Sequence, residues 1–385
     1  MGPRKPEVEY IYLKKLEQQK QRGPDEYTKP VYEGLKRLGN SSLKNGPFSV
    51  TFEKQAPHIA PSGDPRDFLS YAPYWWPENP NDAGNVVKYI RKDGKRNPDT
   101  GAVKDQAQLE SLAENMTYLC LAYFFFEDQK YATHAISLLN TFFISEKTCM
   151  NPNMNYAQFV RGCQNKSKMG RGEGVISSRS LCRIVNLLPL LNTSHDFDSS
   201  RDQLRIWFER YLEWLLRSPV ALEASTSRNN IQTWYTVQVV SIEHYLYPTL
   251  PSALNRVVAF FDTVFPNQVD QKTGNQPLES KRTKPFHYLA FNMQAVTFLA
   301  SIAGSLGVNI CAKHNLVHLA TRYISTFAAP QPKEDITQGL RCVQIVAREI
   351  DDKDGCCNNF IKCALSCSFS EKISGPKNAL CALWS

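Results

Sequence analysis

Eight segments between Gln106 and Ala328 carry apolar residues at i, i+3, i+4 spacing, and that period limits the fold more than any other feature. They span 106–127, 129–145, 178–191, 201–217, 232–247, 251–264, 286–304 and 314–328. The clearest places Leu204, Trp207, Phe208, Tyr211, Leu212 and Leu215 on one helical face. Short connections and few strand signals predict an all-α domain. Helical hairpins that close on themselves make an (α/α) toroid, or barrel, with a central cleft. An open α-solenoid is the rival, but the chain has no fixed repeat period.

The flanks read differently. The first 45 residues are polar and basic, with one helical stretch near Tyr10 to Lys20. From Phe48 to Thr100 the chain is rich in Pro, Gly, Asn and Asp and lacks periodicity, which predicts long irregular loops. The last 45 residues are rich in Cys and Ser, with weak periodicity. The predicted organisation is an arm or opening helix over 1–45, a helical domain over 46–335, and a Cys-rich segment over 336–385 packed on that domain.

Charge and composition narrow the partners. A formal net charge of +8 suits an anionic polymer. No nucleic-acid motif is present, and the aromatics sit in helical segments rather than on a stacking surface. The longest run of apolar and aromatic residues, Tyr118 to Phe126, is far short of the roughly 20 residues a membrane span needs. The N-terminus shows no apolar leader core. Eleven cysteines and sequons at Asn40, Asn115, Asn165 and Asn192 favour a secreted, disulfide-bonded glycoprotein whose leader is either removed or outside this sequence. The odd count leaves at least one thiol unpaired. The spacing CC-x5-C-x3-C near the C-terminus fits no common zinc pattern, so no metal and no other cofactor are expected. A monomer is expected.

Two stretches carry the chemistry. Pro277 to Asn292 reads PLESKRTKPFHYLAFN, with Arg282 just before a helix start marked by Pro285 and Tyr288 one turn inside it. An adjacent cation favours the ionised form of a phenol, whose ordinary pKa is about 10. Ser227 to Gln238 reads SRNNIQTWYTVQ and puts Asn229 and Asn230 at another helix start, where one of them also serves as cap.

With SGDPRDFLSYAPYWWP (Ser62–Pro77), YIRKDGKRNP (Tyr89–Pro98), MNPNMNYAQ (Met150–Gln158) and GRGEGVISSR (Gly170–Arg179), these stretches occur in one order over about 240 residues. In that order they resemble the alginate lyase superfamily of helical-toroid polysaccharide lyases. The resemblance implies an (α/α) barrel and β-elimination on a polyuronate such as alginate or a glucuronan. It places Tyr288 as catalytic acid and base, with Asn230 and Arg282 neutralising the substrate carboxylate. One departure stands out. The family reads N-N-H-G-T-W-Y, and this chain reads N-N-I-Q-T-W-Y, so Ile231 occupies the histidine position. That implies a tyrosine-only mechanism, a different uronic acid, or a carbohydrate-binding protein with impaired catalysis.

The remaining candidates are substrate-binding. Asn229 neighbours Asn230, and His287 braces the site beside Tyr288. Arg66, where the family has histidine, adds a cation that suits a polyanion. Tyr74 lies near the cleft, with either Trp75 or Trp76 buried. Asn155, Tyr156 and Gln158 are placed to bond sugar hydroxyls, although loop packing accounts for them equally well. Trp234 and Tyr235 complete the set. A glycoside hydrolase would need two opposed carboxylates, and Asp64, Asp67, Glu173 and Glu279 show no such pairing in sequence.

Overall fold

The computed structural model describes residues 7–79 and 87–385. Residues 1–6 of the expected N-terminal arm and residues 80–86 of the expected long loop lie outside the described residues. In chain order the helices are α1 (Leu13–Arg22), α2 (Lys29–Ser42), α3 (Asp105–Phe126), α4 (Gln129–Leu139), α5 (Ser180–Leu187), α6 (Asp198–Arg217), α7 (Pro219–Ser225), α8 (Asn230–Leu246), α9 (Ser252–Ala259), α10 (Pro277–Ser280), α11 (Pro285–Ser305), α12 (Ile310–Lys313), α13 (Asn315–Ser325), α14 (Leu340–Ala347), α15 (Cys356–Ser366) and α16 (Pro376–Ala379). The strands are β1 (Leu69–Tyr71), β2 (Trp75–Pro77), β3 (Tyr89–Arg91) and β4 (Tyr156–Phe159). Among the described residues the chain is all-α apart from these short strands, as the periodicity predicts.

The chain divides into two compact units, Met1–Asn40 with Arg228–Ser385, and Ser41–Ser227. In the second unit, α3 and α4 form a hairpin. Glu127 ends α3 in the left-handed region (φ 55°), and Asp128 caps α4 by accepting from the Lys130 amide at 3.2 Å. The two-residue turn follows from a cap residue placed directly after a helix end. α6 is amphipathic, burying the six apolar residues named above. The stretch Gly172–Leu191 is long and apolar enough to cross a membrane, but 83% of it is buried inside the fold, as in a core helix.

In the same unit β1 pairs parallel with β4, and β2 pairs antiparallel with β3, Trp76 facing Ile90. Gly170 and Gly174 lie against the backbone of Ala157 in β4 so closely that a Cβ at either position would collide with it. Close backbone approach therefore accounts for two glycines of the GRGEG stretch.

In the first unit α8 and α11 are buried on nearly every side. α8 is rich in Val, Ile and Thr, which are modest helix formers, so packing holds it. The Trp234 ring lies 5.4 Å from that of Phe291, and its indole N–H donates to the Phe291 carbonyl at 3.2 Å. Pro285 opens α11 at a position where no amide hydrogen is missed.

Some expectations are corrected. α2 and the helices α14 to α16 form in stretches read as a polar arm and a weakly periodic Cys-rich segment. The eleven cysteines are all free thiols, six of them buried, so they form no disulfide framework. Burial pushes the Cys311 thiol up to about 12 and the Cys357 thiol up to about 11, as apolar packing requires. The sequon at Asn115 lies inside α3 with its side chain bonded to Ser111 and Asn45, so it cannot carry a glycan.

Candidate active site

In the unit containing Arg228–Ser385, two helix starts gather the expected catalytic residues. At the start of α8, Asn229 caps the helix by accepting from the Ile231 amide at 3.1 Å. Asn230 is 3% exposed and turns to Glu279 of α10. Its backbone amide donates to Glu279 Oε1 at 2.7 Å, and its Nδ2 donates to Oε1 at 2.9 Å and Oε2 at 2.8 Å. Glu279 is 1% exposed. Burial raises its carboxyl above the ordinary value, while the Asn230 bonds and the Arg282 charge pull it back.

Three residues past Glu279, Arg282 folds over Tyr288. Its Nη2 donates to the Tyr288 hydroxyl at 3.0 Å, and its guanidinium carbon lies 3.9 Å from the ring centroid. Tyr288 is 8% exposed. A cation donating to a phenol oxygen favours the phenolate over the phenol. The structure thus brings together Arg282 and Tyr288 directly, and Asn230 and Arg282 through Glu279.

His287 stands beside Tyr288, ring centroids 5.0 Å apart. Its Nδ1 is 2.6 Å from Gln338 Oε1, in a hydrogen bond that fixes the ring. Glu334 accepts from the amides of Phe286 and His287 at 3.1 and 3.2 Å and so caps α11. Ile231 is buried at 7% exposure, leaving the histidine position filled by a hydrocarbon.

Behind these residues lies an amide network. Gln268 Oε1 accepts from Thr233 and Asn292, each at 3.1 Å, and Gln268 Nε2 donates to the Asn229 carbonyl at 3.3 Å. Asn292 also donates to Gln276 at 2.7 Å. Since Asn292 is one turn beyond Tyr288, the network fixes α11 against the start of α8. Sequence reasoning missed Glu279 as a partner of Asn230, and Gln268, Gln276, Asn292, Glu334 and Gln338 entirely. Single amides and carboxylates have no periodic signature. The only local sign was the spacing of Glu279 ahead of Arg282.

Two other residues of the SRNNIQTWYTVQ stretch are used in packing. Trp234 is 1% exposed between α8 and α11, and Tyr235 is 8% exposed, its phenol raised chiefly by burial.

The remaining candidates belong to the Ser41–Ser227 unit. Arg66 grips Asp64 through Nε at 3.1 Å and Nη2 at 2.8 Å, while Asn151 bonds both Asp64 and Asp67. Tyr74 is half-buried. Trp75 and Trp76 are also half-buried, rather than one being buried outright, and Arg171 and Lys92 lie 5.5 Å from their respective rings. Asn155 accepts from the Trp214 indole at 2.8 Å, and Tyr156 is half-buried in β4. Gln158 adopts φ 48°, unusual for a residue with a Cβ, and donates to the Glu173 carbonyl at 3.2 Å. Among the described residues, no three His, Cys, Asp or Glu side chains gather as metal ligands.

The alginate lyase family profile matches residues 51–334. The chain belongs to the alginate lyase family. It is similar to the crystal structure of an alginate lyase from Bacteroides ovatus, with 28% identity, 97% of each chain covered and a TM-score of 0.83. That likeness puts the chain in the (α/α) toroid class that the motifs implied. It also matches the crystal structure of alginate lyase A1-III from Sphingomonas species A1, with 15% identity over 79% of this chain and 81% of that one and a TM-score of 0.44. No curated protein matches the sequence.

Proposed function

We propose that this family member is a secreted polysaccharide lyase that cleaves a uronic-acid polymer by metal-independent β-elimination. The observation that carries the proposal is the Arg282–Tyr288 contact, a guanidinium 3.0 Å from a nearly buried phenol hydroxyl. Elimination needs the C5 carboxylate neutralised, the C5 proton removed and the leaving O4 protonated. Arg282 binds the carboxylate and favours the phenolate. Tyr288 takes the C5 proton as the C4–O4 bond breaks, and the phenol so formed returns that proton to O4. One residue serving both steps requires proton and leaving group on the same face of the sugar. Asn230 supports the carboxylate from the start of α8, directly or through its neighbours. Asn229 and His287 are proposed to brace the site, and Arg66, Tyr74, Asn155, Tyr156 and Gln158 of the other unit remain proposed sugar-binding residues. The exposed sequons at Asn40 and Asn192 accord with secretion.

The test is a panel of polymannuronate, polyguluronate and glucuronan with ultraviolet detection of the 4,5-unsaturated product, repeated in EDTA. Absorbance rising on one polymer, unchanged by EDTA, supports the reading. Reducing ends without absorbance indicate a hydrolase, and loss in EDTA restored by one divalent ion indicates a metal mechanism. A second reading, a carbohydrate-binding protein of impaired activity, is favoured by buried Ile231 and by Glu279 holding the Asn230 amide. Binding of a polyuronate without turnover would establish it.

A further inference from the structure

We infer that Gln338 is a positioning residue for Tyr288, acting through His287, and that the chain beyond the family match holds it in place. The kinetic part rests on the lyase reading, and the placement of the rings does not. The family profile ends at residue 334, where a short segment begins that grips α11 at three points. Glu334 accepts from the amides of Phe286 and His287. Gln338 Oε1 lies 2.6 Å from His287 Nδ1, and the Gln338 carbonyl accepts from Gln294 Nε2 at 2.9 Å. His287 and Gln294 are about two turns apart on α11, so both bonds fall on one face of the helix.

The segment is itself held. Asp335 accepts from the Thr337 amide at 3.2 Å and from the Thr337 hydroxyl, closing the turn that presents Gln338. Its other oxygen accepts from Lys372 Nζ at 3.0 Å, in a pair whose side chains are 9% and 25% exposed. At Gly339 a Cβ would meet the Phe286 ring at 2.9 Å and the Phe360 ring at 3.2 Å, so no side chain fits there unless those rings move. Phe360 belongs to α15 and Lys372 follows it, so the Cys-rich end of the chain fixes where Gln338 stands. His287 carries this to the site. Its ring lies edge-on to Tyr288, centroids 5.0 Å apart at 69°, and is stacked with Phe291 at 6.3 Å and 15°. With the Arg282 guanidinium over the Tyr288 ring, the phenol is bounded by a cation and an imidazole. A proton carrier must stay within hydrogen-bond reach of the atoms it serves, and a displacement of about 1 Å costs on the order of 100-fold in rate. Gln338 need not touch the sugar. It stops the imidazole from turning, and the imidazole keeps the phenol in place.

The test uses the full chain with Gln338→Leu, Lys372→Met, His287→Phe and the double variant Gln338→Leu with His287→Phe. The first readout is the magnetic resonance spectrum of isotope-labelled histidine, where the His287 signal is the one of seven that His287→Phe removes. That signal should move in Gln338→Leu and, by less, in Lys372→Met. The second readout is kinetics on the polyuronate that the wild type cleaves. Gln338→Leu should lower kcat by about 10–100-fold while KM changes by less than about twofold. Its melting temperature should fall by no more than about 3 °C, as for one lost side-chain hydrogen bond. Added to His287→Phe, it should lower kcat by less than about twofold more, because the residue it acts through is gone. Effects that multiply would show that Gln338 acts independently of His287 and would overturn the inference. So would a Gln338→Leu protein with wild-type kcat, with an unmoved His287 signal, or with a raised KM alone, which would make Gln338 a sugar contact. An unmoved His287 signal in Lys372→Met would overturn the part assigned to the C-terminal segment. If the wild type cleaves no polyuronate, the lyase reading fails, and the histidine spectrum alone decides the placement.

Discussion

Two carboxylates are buried at helix starts in this molecule, and their partners differ. In the Ser41–Ser227 unit, Asp105 opens α3 beside Lys54, 2.7 Å away, with side chains 2% and 1% exposed. Lys54 also donates to the carbonyls of Pro65 and Asp67, and Asp105 accepts from the Leu69 amide. This pair is electrically closed and pins the DPRDF loop and β1 to α3. In the other unit, Glu279 meets a neutral amide at the start of α8, so its negative charge is not cancelled by its hydrogen-bond partner and acts on Arg282. A buried ion pair serves as a staple. A buried carboxylate held by an amide lends its field to its surroundings, and here those include the arginine of the candidate site.

If this contrast is right, the staple is the costlier one to break. Lys54→Ala strands the Asp105 charge and should destabilise the protein by about 3–5 kcal/mol. Thermal denaturation will show it, and a loss under about 1 kcal/mol would mean that the pair is not a staple.

The second prediction concerns pH. Burial outweighs Lys54 and raises the Asp105 carboxyl from 3.8 to about 6. The folded state holds that proton more tightly than the unfolded chain. Its contribution is therefore fully present below about pH 4 and is lost as pH rises through about 6, on the order of 3 kcal/mol. Asp64, held low chiefly by its hydrogen bonds to Arg66, works in the opposite sense as pH falls. Denaturant midpoints between pH 4 and 7 should rise toward acid by less in Asp105→Asn than in the wild type. Identical slopes would contradict the assignment.

Glu279→Ala comes next, because it leaves the buried Asn230 amides without an acceptor. A loss of about 2–3 kcal/mol is expected from the orphaned donors. The smallest effect is Glu334→Ala, at the half-buried cap of α11, expected at about 1 kcal/mol. Equal melting shifts for the two glutamates would remove the distinction between a cap and a group that also fixes a side chain.

The eight periodic segments from Gln106 to Ala328 all became helices, with ends shifted by a few residues. Apolar spacing records which face is buried, even where α8 and α11 turned out to be buried all round. The segments 129–145 and 251–264 were read as unbroken, whereas each ends in a π turn, at 140–144 and 260–264. Periodicity does not see a change of hydrogen-bond register. α2 was hidden by its mixed Gly, Lys and Asn, and α15 by cysteines that read as disulfide partners rather than as small apolar residues. At the site, Arg282 and Tyr288 were legible because helix-start signals place them close in sequence and the family-like motif, rather than spacing alone, singled out the tyrosine. Glu279 is 49 residues from Asn230, and only the fold brings the two into contact.

The most direct test of the central claim compares wild type and Tyr288→Phe by ultraviolet absorbance on the polyuronate that the wild type cleaves. The substitution keeps the ring that Arg282 covers and removes the hydroxyl that carries the proton. General acid–base groups contribute about 10²–10⁴-fold, and one group filling both roles should reach or exceed the upper end. The account predicts a loss of about 10⁴-fold in kcat, with melting temperature and oligosaccharide binding unchanged. A Tyr288→Phe protein that keeps most of its turnover would contradict it and would turn attention to His287.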